Sequence, residues 1–366
     1  MKNKNAKNVV VYPYNFDFTP VLRYAFESYE NVQLLAPRSW ALAGKDASYA
    51  DGGTPIGVKV GFSLEEAHQA DILIVPEYES DKSVDMIARQ LIEAYLGQGK
   101  EVYCYMPILL QNNLDYTNNP KLHIPKFPEV SIDKTSLPEE LKRIDVPVAI
   151  VCGLLDNVNK FDVLLGINKG FVDNGYRVAC ISNKSYAPDL SFFAYPKQMT
   201  SQECTLYEKV FILNSFVKNI EVSSSPDLIL IEIPGGIMPY SEGIYNGFGE
   251  FANIVFNAVF PDYTCLCIPC TAITPQYLDM LKLVLYYRFN VSVDSFYFSN
   301  RGINIDKINR GSEFEPMILG IDGVVHNLRK IAEDDNCYAV FNFTKDGGNS
   351  CLYEHVKSVL LGEYNG

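Results

Sequence analysis

Residues Gly153–Val163 read G-L-L-D-N-V-N-K-F-D-V, preceded by the apolar run V-P-V-A-I-V-C (Val146–Cys152) and followed by an apolar-periodic stretch ending near Gly175. A buried strand, a loop opened by glycine, a lysine and then a helix is the order of a phosphate-binding loop. Such a loop gathers the unpaired N–H groups of a helix start and the positive end of the helix dipole, and both suit an anion. Gly153, Asp156, Asn157, Asn159 and Lys160 line it, with Lys160 placed to reach terminal phosphates. Two positions depart from the pattern G-x-x-x-x-G-K-[ST]. Asn159 replaces the second glycine, putting a side chain where the backbone must approach phosphate, and Phe161 replaces the hydroxyl residue that holds a metal ion.

Downstream, D-L-I-L-I-E-I (Asp227–Ile233) is a second buried strand that runs directly into Pro234-Gly235-Gly236. Glu232 therefore lies at its C-terminal end. Ligands of open α/β sheets bind at that edge, so Lys160 and Glu232 are expected on the same side of one sheet.

The rest of the chain alternates strand and helix signals. In the first part Val9–Tyr14, Val32–Ala36, Asp71–Pro76 and Glu101–Tyr105 read as strands. Helices are expected from an N-cap at Thr19 with Pro20 at the first position toward Tyr29, from Ser63 through His68, and from Ser83 to Leu96. Residues 108–145 are rich in Asn, Pro and Lys and read as an excursion and linker, with one weak helical piece at Leu137–Ile144. A second alternating series runs from Val146 to the end, with helices expected near Gln202–Val217, Phe251–Val259 and Thr274–Arg288. Alternation of this kind predicts α/β architecture with two doubly wound, mainly parallel sheets. The expected division is a Rossmann- or flavodoxin-like domain over 1–107, a linker over 108–145 and a P-loop NTPase-like domain over 146–366.

The second series resembles a known family. G-L-L-D-N-V-N-K-F is similar to the extended phosphate loop of dethiobiotin synthetase and its relatives, G-T-D-T-E-V-G-K-T, with Gly153, Val158 and Lys160 in register. D-L-I-L-I-E-I-P-G-G-I-M-P-Y (Asp227–Tyr240) is similar to that family's D-L-V-L-V-E-G-A-G-G-L-x-x-P-L. The resemblance spans Val146–Asn304 and implies roles residue by residue. Lys160 would be the phosphate-loop lysine, Glu232 the magnesium-binding glutamate and Asn300 an asparagine near adenine. The implied ligand is ATP or GTP with Mg²⁺, and relatives with this loop type imply a homodimer. The family's second loop, with a substrate-facing Lys and Asp, has loose counterparts in Asn183-Lys184 and Asp189.

Over its whole length the chain also resembles a family of clostridial peptide maturation system proteins, encoded beside radical-SAM enzymes and small precursor peptides. The segments that carry the likeness are Ser39–Gly53, Asn159–Asp162 (N-K-F-D), Phe193–Lys197 (F-A-Y-P-K) and Ile233–Tyr240 (I-P-G-G-I-M-P-Y). It implies a setting in ribosomal peptide natural-product maturation, with a precursor peptide or a radical-SAM enzyme as partner. It also implies that N-K-F is this family's own form of the loop.

Composition narrows the classes. With 366 residues, 48% hydrophobic and 20% charged, the chain is an ordinary folded protein long enough for two cores. A net charge of −13 argues against nucleic acid and anionic membrane surfaces as partners. No run reaches the roughly 18 apolar residues of a membrane span. The N-terminal M-K-N-K-N-A-K-N lacks a secretory pattern, and nine Cys, several in apolar runs, suit a reducing cytoplasm.

Two further groups invite a functional reading. Trp40, the only tryptophan, lies near Lys45, Asp46 and Asp51 in a Gly-rich loop after the second strand; a binding loop and an ordinary surface loop are both open. Cys265, Cys267 and Cys270 have no fourth Cys or His close in sequence, so buried thiols are expected rather than zinc or an iron–sulfur cluster. The sequence thus leaves three functions in play. They are an accessory protein with a degenerate nucleotide site, an ATP-dependent enzyme that activates a carboxyl or amide by phosphorylation, and a nucleotide-controlled dimer switch. A Phe161 ring packed beneath a collapsed loop favours the first; an open nest of N–H groups on which Lys160 and Glu232 converge favours the others.

Overall fold

The computed structural model describes residues 8–25, 31–67, 69–110, 119–130, 140–242, 244–270, 273–303, 316–320, 323–326, 328, 338–342 and 348–362. The chain divides into two compact units. The first comprises Met1–Lys126 with Lys184–Ser191, and the second Phe127–Asn183 with Phe192–Gly366. Of the expected linker, residues 108–110 and 119–126 therefore group with the first unit, and 127–130 and 140–145 with the second.

The first unit contains β1 (Asn8–Val11), α1 (Thr19–Tyr24), β2 (Asn31–Leu35), β3 (Val60–Gly61), α2 (Leu64–Ala67), β4 (Ile72–Val75), α3 (Lys82–Gly97), β5 (Glu101–Cys104) and β6 (Leu122–His123). Its six strands are all parallel, in the order β3-β2-β1-β4-β5-β6. That is the Rossmann order, and the crevice of such a sheet opens where the order reverses, beside β1 and β4. Helix α3 forms because Asp81 accepts the N–H groups of Ser83 (2.9 Å) and Val84 (3.2 Å), capping its start. It then buries Val84, Ala88, Leu91, Ile92, Tyr95 and Leu96, one stripe at helical spacing. Burying each of the larger side chains contributes about 1.5–3 kcal/mol. Thr19 is not the N-cap of α1; it lies in the first turn, and Asn15 caps the 3-10 turn that leads in. Residues 26–29 of the expected first helix and His68 lie outside the described residues.

The second unit contains β7 (Val148–Gly153), α4 (Lys160–Asp173), β8 (Val178–Ser182), β9 (Phe193–Ala194), α5 (Leu206–Ser224), β10 (Leu228–Glu232), α6 (Glu250–Ala258), β11 (Tyr263–Pro269), α7 (Pro275–Phe289), β12 (Ser295–Ser299), β13 (Arg301–Ile303), β14 (Pro316–Ile318), β15 (Val340–Phe341) and α8 (Gly348–Leu360). Seven strands form a parallel sheet in the order β15-β12-β11-β7-β10-β8-β9, while β13 and β14 pair antiparallel. β7 and β10 are buried at every position, as strands covered on both faces require. Ile229, Ile231 and Ile233 join Val148, Ile150 and Cys152 in a core with α5, α6 and α7. Side chains alternate along a strand, so Glu232 projects to the opposite face, where α4 packs. There α4 also meets α8, with the Phe171 and Tyr353 rings 4.9 Å apart.

The connection after β7 leads to β8 on one side, whereas that after β10 leads to β11 on the other. The two loops diverge at adjacent strands, and this is a topological switch point. The chain entering β7 is pinned by α5: Asn214 accepts the Lys142 N–H (2.8 Å), and Glu221 accepts those of Asp145 (2.6 Å) and Val146 (2.8 Å). Residues 140–144 of the expected helical piece at Leu137–Ile144 are not helical, and the Lys142 N–H and carbonyl bond to Asn214 of α5 instead; 137–139 lie outside the described residues. Helix α5 itself extends to Ser224, seven residues past the expected end, from a capping box formed by Thr205 and Glu208.

Candidate phosphate-binding site

Gly153 ends β7, and it has to be glycine. A Cβ there would lie 2.7 Å from the Leu155 carbonyl oxygen, 2.7 Å from Val158 Cγ2 and 2.9 Å from Lys160 Cδ. The loop buries Leu154, Leu155 and Val158, leaves Asp156 and Asn157 exposed, and enters α4 through Asn159 in the left-handed region (φ 59°, ψ 19°). Asparagine tolerates this conformation better than most residues, which explains how it replaces a glycine. Its side chain turns inward: Nδ2 donates to Asp162 Oδ2 at 2.9 Å, and Oδ1 accepts a hydrogen bond from Ser299 Oγ. Among the described residues, the backbone N–H groups of Leu155, Asn157, Asn159 and Lys160 donate to no protein acceptor. Together with the start of the 14-residue α4, they form a cradle of positive partial charge.

Lys160 is only 3% exposed. Its Nζ donates to the Gly235 carbonyl oxygen and lies 3.4 Å from Asp156 Oδ1. Asp156 Oδ1 also accepts the Gly235 N–H at 3.1 Å. The glycine-rich segment after β10 lies against the loop at two more points. Ile237 N–H donates to the Gly153 carbonyl at 2.9 Å, and Asn246 Nδ2 donates to the Leu154 carbonyl at 3.0 Å. A Cβ on Gly236 would lie 2.5 Å from Asn246 Cγ and 2.8 Å from the Leu154 carbonyl oxygen, so this close approach also requires glycine.

Glu232, 2% exposed, accepts from Ser182 Oγ at 2.5 Å, and its backbone carbonyl accepts the Tyr195 hydroxyl at 2.8 Å. Both Glu232 and Ser182 end strands that point to the same edge as β7. Phe161 is 5% exposed, so the position of the metal-holding hydroxyl is occupied by a buried ring. The structure thus meets parts of both sets of criteria: the four loop N–H groups keep no protein acceptor, while Phe161 is buried and Lys160 and Glu232 each have protein partners.

Asn300 follows β12, fully buried, and its carbonyl accepts the Leu319 N–H at 2.7 Å. Its neighbour Ser299 reaches the phosphate loop through Asn159 and accepts the Arg301 N–H at 3.0 Å. Ser182, Ser299, Asp162, Asn246 and the Gly235 carbonyl were not named as site residues from sequence. Of these, Asp162 stood out within N-K-F-D and Gly235 within the glycine-rich stretch after Glu232.

Trp40, Lys45, Asp46 and Asp51 all belong to the first unit. Asp51 is fully buried and forms a two-point pair with Arg23, Nε to Oδ2 at 2.7 Å and Nη2 to Oδ1 at 2.9 Å. Asp46 accepts the N–H groups of Ser48 (2.9 Å), Ile56 (3.0 Å) and Gly57 (2.8 Å). Partial burial acts to raise its pKa, but these N–H groups and the Ser48 hydroxyl outweigh it and bring the carboxyl down to about 2. Lys45 Nζ lies 3.5 Å over the Tyr49 ring, and Trp40 packs toward Tyr78 with ring centroids 6.4 Å apart. The two aspartates thus knit the loop together. Lys184 and Asp189, the loose counterparts of a substrate-facing pair, also lie in the first unit, where Lys184 faces Glu77 (3.8 Å) and Asp189 accepts the Tyr105 hydroxyl (2.6 Å).

Cys265, Cys267 and Cys270 are buried and unpaired by disulfide, and burial pushes the Cys267 thiol well above its usual range. Among the described residues no three His, Cys, Asp or Glu side chains gather as a metal cluster, and no helix is long and apolar enough to cross a membrane.

No family model matches the chain, and no curated protein matches its sequence. Among solved structures, a DUF1611 family protein from Anabaena variabilis is similar over 96% of this chain and 99% of its own, at 12% identity with a TM-score of 0.58. At that identity the likeness bears on the fold, an α/β architecture along nearly the whole chain. The hydrogenase maturation factor HypB from Archaeoglobus fulgidus matches 59% of the chain and 90% of its own at 12% identity, with a TM-score of 0.31. The MinD cell division protein from Aquifex aeolicus matches 60% and 99% at 15% identity, with a TM-score of 0.34.

Proposed function

We propose that this protein is an accessory factor of ribosomal peptide maturation that binds a nucleotide by its phosphates at Gly153–Lys160 and does not turn it over rapidly. The observation that carries the binding is the cradle of N–H groups from Leu155, Asn157, Asn159 and Lys160, closed by a lysine only 3% exposed. Four N–H groups without protein acceptors and a cation at a helix start favour an anion. The peptide-maturation setting rests on the whole-length resemblance carried by S-W-A-L-A-G-K-D, N-K-F-D, F-A-Y-P-K and I-P-G-G-I-M-P-Y. A precursor peptide or a radical-SAM enzyme is the partner this setting proposes.

Slow turnover follows from Phe161. Mg²⁺ supplies much of the charge stabilisation in phosphoryl transfer and takes oxygen ligands only. The oxygen donors here are the buried Glu232 carboxylate and the Ser182 hydroxyl beside it. They fit a magnesium ion held by one carboxylate, with its other positions left to phosphate and water. Glu232 would hold the ion; Phe161 offers it nothing. The same buried carboxylate favours a second reading, an ATP-dependent enzyme that activates a carboxyl or amide, in which Lys160 orients the terminal phosphate.

Isothermal titration with ATP and GTP, with and without Mg²⁺, tests the proposal. Lys160→Ala is expected to weaken nucleotide binding at least tenfold, a cost of about 1.4 kcal/mol. Unchanged affinity in that variant would remove the phosphate-loop assignment. Turnover faster than about 1 s⁻¹, the ordinary range for kinases, would favour the second reading.

A further inference from the structure

Asp156 sits at the mouth of the N–H cradle with its side chain 66% exposed, yet its Oδ1 serves two donors of the site. One is the Gly235 N–H at 3.1 Å; the other is Lys160 Nζ at 3.4 Å. Lys160 closes the triangle by donating to the Gly235 carbonyl. The lysine that a phosphate needs is therefore held by a carboxylate of its own loop and by a carbonyl from the segment after β10.

We propose that Asp156 is a built-in competitor for phosphate, a latch that keeps Lys160 and Gly235 closed until a polyphosphate displaces it. This inference rests on the phosphate-binding reading above. The carboxylate and an incoming phosphate seek the same ammonium, and the two anions repel each other across the few ångströms of the loop. An anion of low charge gains little over Asp156. A triphosphate brings more negative charge and can take up the four open N–H groups together with Lys160, so the latch selects a nucleoside triphosphate over orthophosphate. The coupling is reciprocal: a partner that draws Gly235 away loosens Lys160 and raises phosphate affinity, and bound phosphate raises that partner's affinity by the same factor.

Asp156→Asn tests the latch, because it keeps the side-chain size and an acceptor for the Gly235 N–H while removing the charge. Isothermal titration of the full chain with ATP, GTP and inorganic phosphate compares the wild type, Asp156→Asn, Asp156→Ala and Lys160→Ala. Circular dichroism melts report whether each variant is folded, and Asp156→Ala serves if Asp156→Asn is not. The expected result is at least fivefold tighter ATP or GTP binding in the Asp156 variants, with a smaller preference over inorganic phosphate. Nucleotide binding by these variants where the wild type shows none also supports the latch. Wild-type binding that needs Lys160 but is not tightened in either Asp156 variant overturns the latch and leaves the nucleotide reading intact. Absence of binding in the wild type and in both Asp156 variants overturns both.

Discussion

Asn159 donates from its side-chain amide to Asp162 at 2.9 Å, which ties a residue in the left-handed region to the first turn of the helix it precedes. Ser299 fixes the other end of the same amide. Asn159→Ala should therefore cost about 2–4 kcal/mol. A left-handed conformation accounts for about 1–2 of this and the lost buried hydrogen bonds for the rest. Asn159→Gly relieves the backbone and should cost about 1–3 kcal/mol, from the lost bonds alone. Urea titration followed by circular dichroism checks the order; equal costs would show that the backbone term is absent.

Arg23→Ala should destabilise the first unit by about 3–5 kcal/mol, because it leaves the fully buried Asp51 carboxylate without its charged partner. Trp40 is the only tryptophan and lies in this unit, so its fluorescence reports the unit's own transition. A loss below about 1 kcal/mol, the range of a surface pair, would contradict the role assigned to the pair.

Asp46 makes the same unit sensitive to acid. Its carboxyl titrates near 2 when folded, below the ordinary value of about 3.9 for an unfolded chain. Between those values the unfolded chain binds more protons. The contribution of Asp46 is therefore complete above the unfolded pKa and fades as the pH falls toward 2. Asp46→Asn should flatten the Trp40-detected stability profile between about pH 4 and 2. A profile as steep as the wild type's would assign the acid sensitivity elsewhere.

Phe161→Thr restores a hydroxyl to the loop but removes a buried ring, so it should destabilise the second unit by about 2–4 kcal/mol. No gain in phosphate release from ATP is expected, because the cavity loosens the loop that must be rigid. A stable variant with turnover would show that Phe161 alone separates this site from a magnesium-dependent one.

Strand–helix alternation was legible because β7 and β10 are buried on both faces and read as unbroken apolar runs. The same runs put Lys160 and Glu232 at one sheet edge. The partners of these residues were not legible, since Ser182, Ser299 and Gly235 lie 50, 140 and 75 residues from the groups they bind. Distance in sequence also hid the work of Asp51, whose arginine is 28 residues earlier. The asparagine at 159 shows a third limit: its sequence position fits a phosphate contact, but its rotamer points the amide into the protein.

Lys184–Ser191 lies between β8 and β9 in sequence yet belongs to the first unit, where Tyr186 is fully buried, donates to the Asp17 carbonyl at 2.9 Å and packs edge-on to Phe18 and Tyr105. The first unit is therefore not contiguous in the gene. A fragment ending at Lys126 would lack the ring around which Phe18 and Tyr105 pack, and a fragment beginning at Phe127 would carry that ring with nothing to fill. A single cut at Lys126 therefore parts the first unit from one of its own segments, and an intact first unit needs the chain to run on past β8.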